Sequence, residues 1–131
     1  MRENMNQEIM QILGQMNQQH ENLQEQLKLV EQQIRELEQF KDEISVLDKH
    51  KSETIIASLG KSVFAPVKFI PSEKMFVEIG AGYFVRKTSD ETLIVIDEQE
   101  KKLKEFKVHL SSELSSLTEQ LESIINQTQR V

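Results

Sequence analysis

The sequence predicts an α+β fold that is mainly α: a long antiparallel two-helix coiled coil interrupted by two β-hairpins. Three observations carry that expectation. Both prolines and three of the four glycines fall between residues 52 and 88 of the 131. The segments on either side repeat their apolar residues at alternating spacings of three and four, the pattern of helices that bury one stripe against another helix. Inside the insert, apolar residues alternate along short runs, the period-two pattern of half-buried strands. The expected division is therefore residues 1–51 as an N-terminal coiled-coil helix, 52–88 as a two-hairpin hub and 89–131 as a C-terminal coiled-coil helix.

The first arm runs from about Asn4 to Lys49 with no proline and one glycine. Its stripe is Ile9, Leu13, Met16, His20, Leu23, Leu27, Val30, Ile34 and Leu37, a seam with one polar intrusion at His20. Continuing the strict repeat would bring Lys41 and Asp48 into the core. The apolar residues instead run Leu37, Phe40, Ile44, Leu47, a three-residue skip expected to overwind the supercoil locally. At 1.5 Å per residue such a helix reaches roughly 70 Å, too long for a compact domain of this mass.

The second arm begins near Ser89 or Asp90, both suitable N-caps, with Glu91 in the first turn. Ile96, Leu103, Leu110, Leu117 and Ile124 recur every seven residues, with Phe106, Leu114 and Leu121 in companion positions. The spacing of four from Leu110 to Leu114, where three is due, predicts a second phase slip. Two arms of similar length leaving one hub are expected to fold back on each other, bringing both chain termini to the far tip. Their other faces carry Glu, Gln, Lys, Ser and Asn, a solvated surface in which i,i+4 charge pairs contribute only a few tenths of a kcal/mol each.

The hub divides into four extended pieces, Thr54 to Leu59, Ser62 to Phe69, Lys74 to Ile79 and Tyr83 to Lys87. Gly60-Lys61, Pro71-Ser72-Glu73 and Gly80-Ala81-Gly82 separate them, and glycine at the last supplies the positive φ of a hairpin reversal. Pro66 lies inside the second piece, where it cannot donate to a ladder, and predicts an edge or a bulge there. Val63, Ala65, Val67 and Phe69 share one face, as do Met75, Val77 and Ile79. Two small hairpins are marginal alone, so the hub is expected to complete its sheet with strands from other subunits.

Composition narrows the functional classes. A net charge of -6 lacks the clustered positive surface that nucleic-acid phosphates require, so no nucleic-acid partner is expected. The absence of cysteine excludes disulfides, thiol catalysis and Cys-ligated zinc. The opening MRENMNQEIMQ lacks the apolar run of a secretory signal, and no segment approaches about 20 apolar residues, so the expectation is a cytoplasmic protein without a membrane partner. His20, His50 and His109 are isolated from one another, which gives no metal face. Gly80-Ala81-Gly82 lacks the further glycines and Lys-Ser/Thr pair of a phosphate loop. No nucleophile, base and orienting residue form a set, so the chain is expected to be a non-enzyme without cofactor or metal.

The run Val63-Phe64-Ala65-Pro66-Val67-Lys68, then Lys74 to Val85 (KMFVEIGAGYFV) and Lys87-Thr88-Ser89, resembles the α class of prefoldin subunits. The resemblance is specific over Glu53 to Ser89, and the arms match in architecture. The insert departs from the family's pattern at Arg86, where Glu is frequent, and at Lys61, where a small residue is common. Two hairpins select the α class, because the β class has one. The resemblance implies an ATP-independent co-chaperone, a hetero-hexamer of α-class and β-class subunits joined through their hairpins, which holds non-native polypeptides between coiled-coil tips and passes them to a group II chaperonin. The assembly residues it implies are Val63, Val67, Phe69, Met75, Val77, Ile79, Tyr83 and Val85. Apolar residues near the tips would then contact unfolded clients: Met5, Met10, Ile12 and Met16 from the first arm, Ile125 and Val131 from the second. Methionine suits such contact because its unbranched thioether adapts to irregular surfaces. The alternative reading is a structural coiled-coil adaptor in a multi-subunit complex.

Overall fold

A computed structural model describes residues 2–50, 53–70 and 74–129. Helix α1 spans Arg2–Lys49. Strands β1 (Thr54–Gly60) and β2 (Val63–Lys68) form hairpin 1, β3 (Met75–Gly80) and β4 (Tyr83–Lys87) form hairpin 2, and helix α2 spans Ser89–Gln129. This is the predicted class: two long helices with two small antiparallel hairpins between them. The expected turn at Pro71-Ser72-Glu73 lies outside the described residues.

The chain divides into two compact units, one made of residues 1–34 with 102–131 and the other of residues 35–101. In the first, Val30, Ile34 and Leu110 are buried together, with Leu23, Leu27 and Leu103 packed against them. Lys107 Nζ lies 3.7 Å from Glu31 Oε1, while nearer the termini Ile9 shares a groove with Ile124. The helix segments of this unit therefore run antiparallel.

In the second unit Ile44 and Ile96 are buried. Lys41 Nζ donates to Glu100 Oε2 at 3.1 Å and also pairs with Asp97. Ser89 Oγ donates to Asp48 Oδ1 at 3.0 Å. These pairs again run antiparallel along the two segments.

The predicted phase slips are absent. Burial in α1 follows Ile34, Leu37, Lys41, Ile44 and Asp48, the unbroken repeat, with Leu47 half-buried beside Asp48, and Phe40 is left 47% exposed. In α2 it follows Ile96, Glu100, Leu103, Lys107, Leu110, Leu114, Leu117, Leu121 and Ile124, and Phe106 is likewise exposed. The three-residue skip would overwind the supercoil along α1, and the extra four-residue step would unwind it along α2. The strict repeat needs no such distortion, but it places charged groups at seam positions, where burial costs heavily unless they are paired. Pairing is what occurs: the Glu100 side chain, 7% exposed, meets the Lys41 ammonium. The long Lys41 stem lies along the seam and carries its charge to the more exposed Asp97. Those hydrogen bonds, to Asp97 first and then Glu100, hold the Lys41 pKa above its ordinary value.

The N-cap of α2 is Thr88, one residue before the predicted candidates. Glu91 N–H donates to Thr88 Oγ1 at 3.2 Å, and the Thr88 hydroxyl and N–H both donate to Glu91 Oε1. This T-x-x-E arrangement satisfies orphan donors at the helix start reciprocally. Ser89 is thereby free to reach Asp48. Buried Thr92 donates its hydroxyl to Thr88 O at 2.8 Å, and every buried side-chain polar atom among the described residues has a partner.

Candidate functional site

Each hairpin is a two-stranded ribbon closed by a two-residue loop. In hairpin 1 Gly60 pairs with Val63, and loop residues Lys61 and Ser62 both have positive φ; in hairpin 2 Gly80 pairs with Tyr83 around Ala81 and Gly82, again both positive. Positive φ at both central residues is the type I′ pattern, whose twist matches that of the strands. Each ribbon shifts register just before its loop, between Ser58 and Gly60 and between Glu78 and Gly80. Of the two alternatives expected at Pro66, an edge or a bulge, the strand takes the edge: Pro66 pairs regularly with Ile56, and the bulge lies at the turn. In a two-stranded ribbon every strand is an edge, where proline is tolerated.

Residues directly opposite in an antiparallel ladder point to the same face. In hairpin 1, Ile55 opposite Val67 and Ala57 opposite Ala65 share a face, and alternation adds Val63 and Phe69. In hairpin 2, Val77 opposes Val85, and Met75, Ile79 and Tyr83 share that face. The predicted assembly residues thus gather on one face of each ribbon. Phe69, Met75 and Val77 are half-buried within the chain; Val63, Val67, Ile79, Tyr83 and Val85 are exposed.

The opposite faces are also apolar, which the alternation argument passed over. They carry Ile56 and Phe64 on hairpin 1 and Phe76 and Phe84 on hairpin 2, all exposed. The signal for them is present in the sequence: VFAPV and MFV are nearly continuous apolar runs, as strands with two covered faces show.

A second apolar surface lies in the unit that contains both ends of the described chain. A groove of about 690 Å³ is lined by Arg2, Met5, Asn6, Ile9, Ile12, Ile124, Gln127 and Thr128. Met5, Ile9 and Ile12, at spacings of four and three, put their side chains on one stripe of α1. Of the residues predicted for client contact, Met5 and Ile12 line this groove. Met10 and Ile125 are exposed elsewhere on the helices, Met16 is half-buried on the seam, and Val131 lies outside the described residues. Sequence reasoning kept Ile9 and Ile124 for the seam, yet both border the groove where the two helices end.

No group of three or more potential metal ligands is present among the described residues, and no helix there is long and apolar enough to cross a membrane.

A family model described as prefoldin subunit matches residues 2–131. Among solved structures, the chain is similar to filamentous PFD from Methanocaldococcus jannaschii, determined by cryo-EM, with a TM-score of 0.78 at 20% identity. The match covers 88% of this chain and 97% of that one. No curated protein matches.

Proposed function

This chain belongs to the prefoldin family, and from that premise we propose that it is an α-class subunit of a cytoplasmic, ATP-independent co-chaperone. Residues 52–88 are its assembly hub, and residues 1–51 and 89–131 are the arms. Its hairpins join those of further α-class and β-class subunits in a hetero-hexamer, and the helix ends hold non-native polypeptides for transfer to a group II chaperonin. The α-class assignment is supported by the second hairpin. Multi-subunit co-chaperone membership is a family property, and the family is non-enzymatic.

The observation that carries this reading is the groove bordered by Met5, Ile9, Ile12 and Ile124. An apolar groove with Met and Ile walls and a rim of one guanidinium, two amides and a hydroxyl suits extended apolar segments without demanding one sequence. Assembly is supported by the exposed hairpin faces, since isolated two-stranded ribbons with this much uncovered apolar surface are marginal in water.

The test is co-expression with a β-class subunit, followed by measurement of the aggregation of a denatured model protein without ATP. Suppression that is lost when about ten residues are removed from both ends, together with loss of the assembled particle in Val77→Asp, is the expected result. An intact particle that leaves aggregation unchanged overturns the chaperone reading in favour of a structural adaptor. A Val77→Asp variant that keeps the particle's mass overturns the assembly face.

A further inference from the structure

The groove at the helix ends continues along one flank of its unit. Met5, Ile12 and Gln127 line it from beside the seam, on the same side of both helices. The seam in this unit keeps an unbroken seven-residue repeat, so a step of seven up α1 and seven back along α2 stays on that flank. From Ile12 and Gln127, which share the groove, the first step reaches Gln19 and Gln120. The next reaches Gln26 and Glu113, and the last Gln33 and Phe106, all of them exposed. This register agrees with Lys107 lying beside Glu31.

Glu113 is the one charge in these pairs, and its carboxylate lies 2.9 Å from Nε2 of the more exposed His109. The other flank differs. There Glu31 is paired with Lys107, Ser111 and Thr118 are half-buried, and the Thr118 hydroxyl donates to Leu114 O at 2.8 Å. Its polar groups are engaged within the chain, whereas the glutamine amides face solvent.

A glutamine amide both donates and accepts hydrogen bonds, and every residue of an unfolded chain other than proline offers a backbone N–H and C=O. A row of amides therefore matches the backbone of an extended polypeptide whatever its side chains are. Both ends of the row are apolar, with Met5, Ile9 and Ile12 at the groove and Phe106, 47% exposed, at the other. Three steps of seven at 1.5 Å per residue separate these ends by about 31 Å, which an extended chain covers in about nine residues. A docked helix would need an apolar contact at every turn, and the glutamines between the ends do not supply it.

We propose that this flank is a lane for extended polypeptide. It holds two apolar clusters of one non-native chain about nine residues apart, the first in the groove and the second on Phe106, while Gln19, Gln26 and Gln120 bond the backbone between them. The lane rests on the reading of the groove as a client site and adds the conformation and spacing of the segment held. Once the first cluster is seated the second contact is intramolecular, so matched spacing raises affinity without a stronger groove.

The experiment is fluorescence anisotropy of labelled peptides on the full chain assembled with its partner subunits. The peptides carry one Leu-Phe-Leu cluster, or two such clusters joined by three or by nine Ser/Thr residues, or by nine residues of N-methylglycine, which lacks the backbone N–H. The nine-residue Ser/Thr peptide is expected to bind about tenfold or more tightly than the single cluster, and the other two within about threefold of it. Phe106→Ala removes that gain and Gln19→Ala with Gln120→Ala reduces it, both leaving single-cluster binding and helix content by circular dichroism unchanged. Equal affinity for the three- and nine-residue Ser/Thr spacers overturns the lane. So does an advantage that survives Phe106→Ala or N-methylation. In those cases binding of the single cluster still upholds capture by the groove. If the single cluster fails to bind, the capture reading falls and the lane with it.

Discussion

Thr88 and Glu91 decide how α2 begins. The hydrogen bond from the Thr88 hydroxyl is the leading cause of a Glu91 pKa below the usual carboxylate value, with the Thr88 N–H adding to it. A depressed folded pKa means that the stabilisation is present above the unfolded carboxylate value, near about 4.3, and is lost as pH falls through the folded one. Thr88→Ala is expected to cost about 1 kcal/mol at neutral pH. Thermal melts across an acid series should show the gap narrow below about pH 4, as the carboxylate is protonated, while the part owed to the Glu91 N–H bond to the Thr88 hydroxyl remains. A gap that persists unchanged into acid would show that Glu91 does not take part. Lys41 works in the opposite sense. Its raised pKa adds stability that is complete below the ordinary lysine value, near about 10.4, and lost as pH rises through the folded one.

At the scale of elements, the choice between two seams rests on the same lysine. The apolar sequence favoured Phe40 and Phe106; the structure seats Lys41, Glu100 and Lys107 and leaves both rings exposed. Lys41→Met leaves a more hydrophobic side chain in the seam but takes the ammonium from buried Glu100, so it should destabilise the protein. Phe40→Ala, at an exposed position, should cost about 1 kcal/mol or less. Urea denaturation followed by helix signal separates the two. If Phe40→Ala is the more damaging, Phe40 rather than Lys41 holds the seam. The elements themselves were legible because the heptad and alternating patterns are local. The skip was misread because counting apolar residues takes no account of a charge on one helix being cancelled by a charge 59 residues away.

Across the whole molecule, two apolar surfaces lie in different units, the hairpin faces in one and the groove at the helix ends in the other. A subunit that works by assembly at one and capture at the other should lose them separately. Met5→Ser with Ile12→Ser is expected to halve or further reduce suppression of client aggregation while the particle mass stays constant, because both residues line the groove and neither belongs to the seam. Met16→Ser should act differently, lowering helix stability before it affects capture, since Met16 is half-buried on the seam. Equal loss of suppression in both variants at full stability would erase the distinction between groove and seam.

By itself the sequence determined the two helices, the two hairpins, and one face of each hairpin, shared by Val63, Val67 and Phe69 on the first and by Met75, Val77 and Ile79 on the second. Periodicity and turn chemistry are written within a few residues of chain, and they need no knowledge of what packs opposite. The Thr88-x-x-Glu91 cap is also a local signature, whereas the tertiary structure decided which residues occupy the seam and that Met5 and Ile12 line the groove while Met16 does not. It also paired Phe76 with Arg86 and Glu78 with Phe84, arranging aromatic and charged groups on crossed diagonals. Each of these depends on which side chains from distant parts of the chain come within a few ångströms. That is set by register between elements, to which hydrophobic spacing along one element is blind.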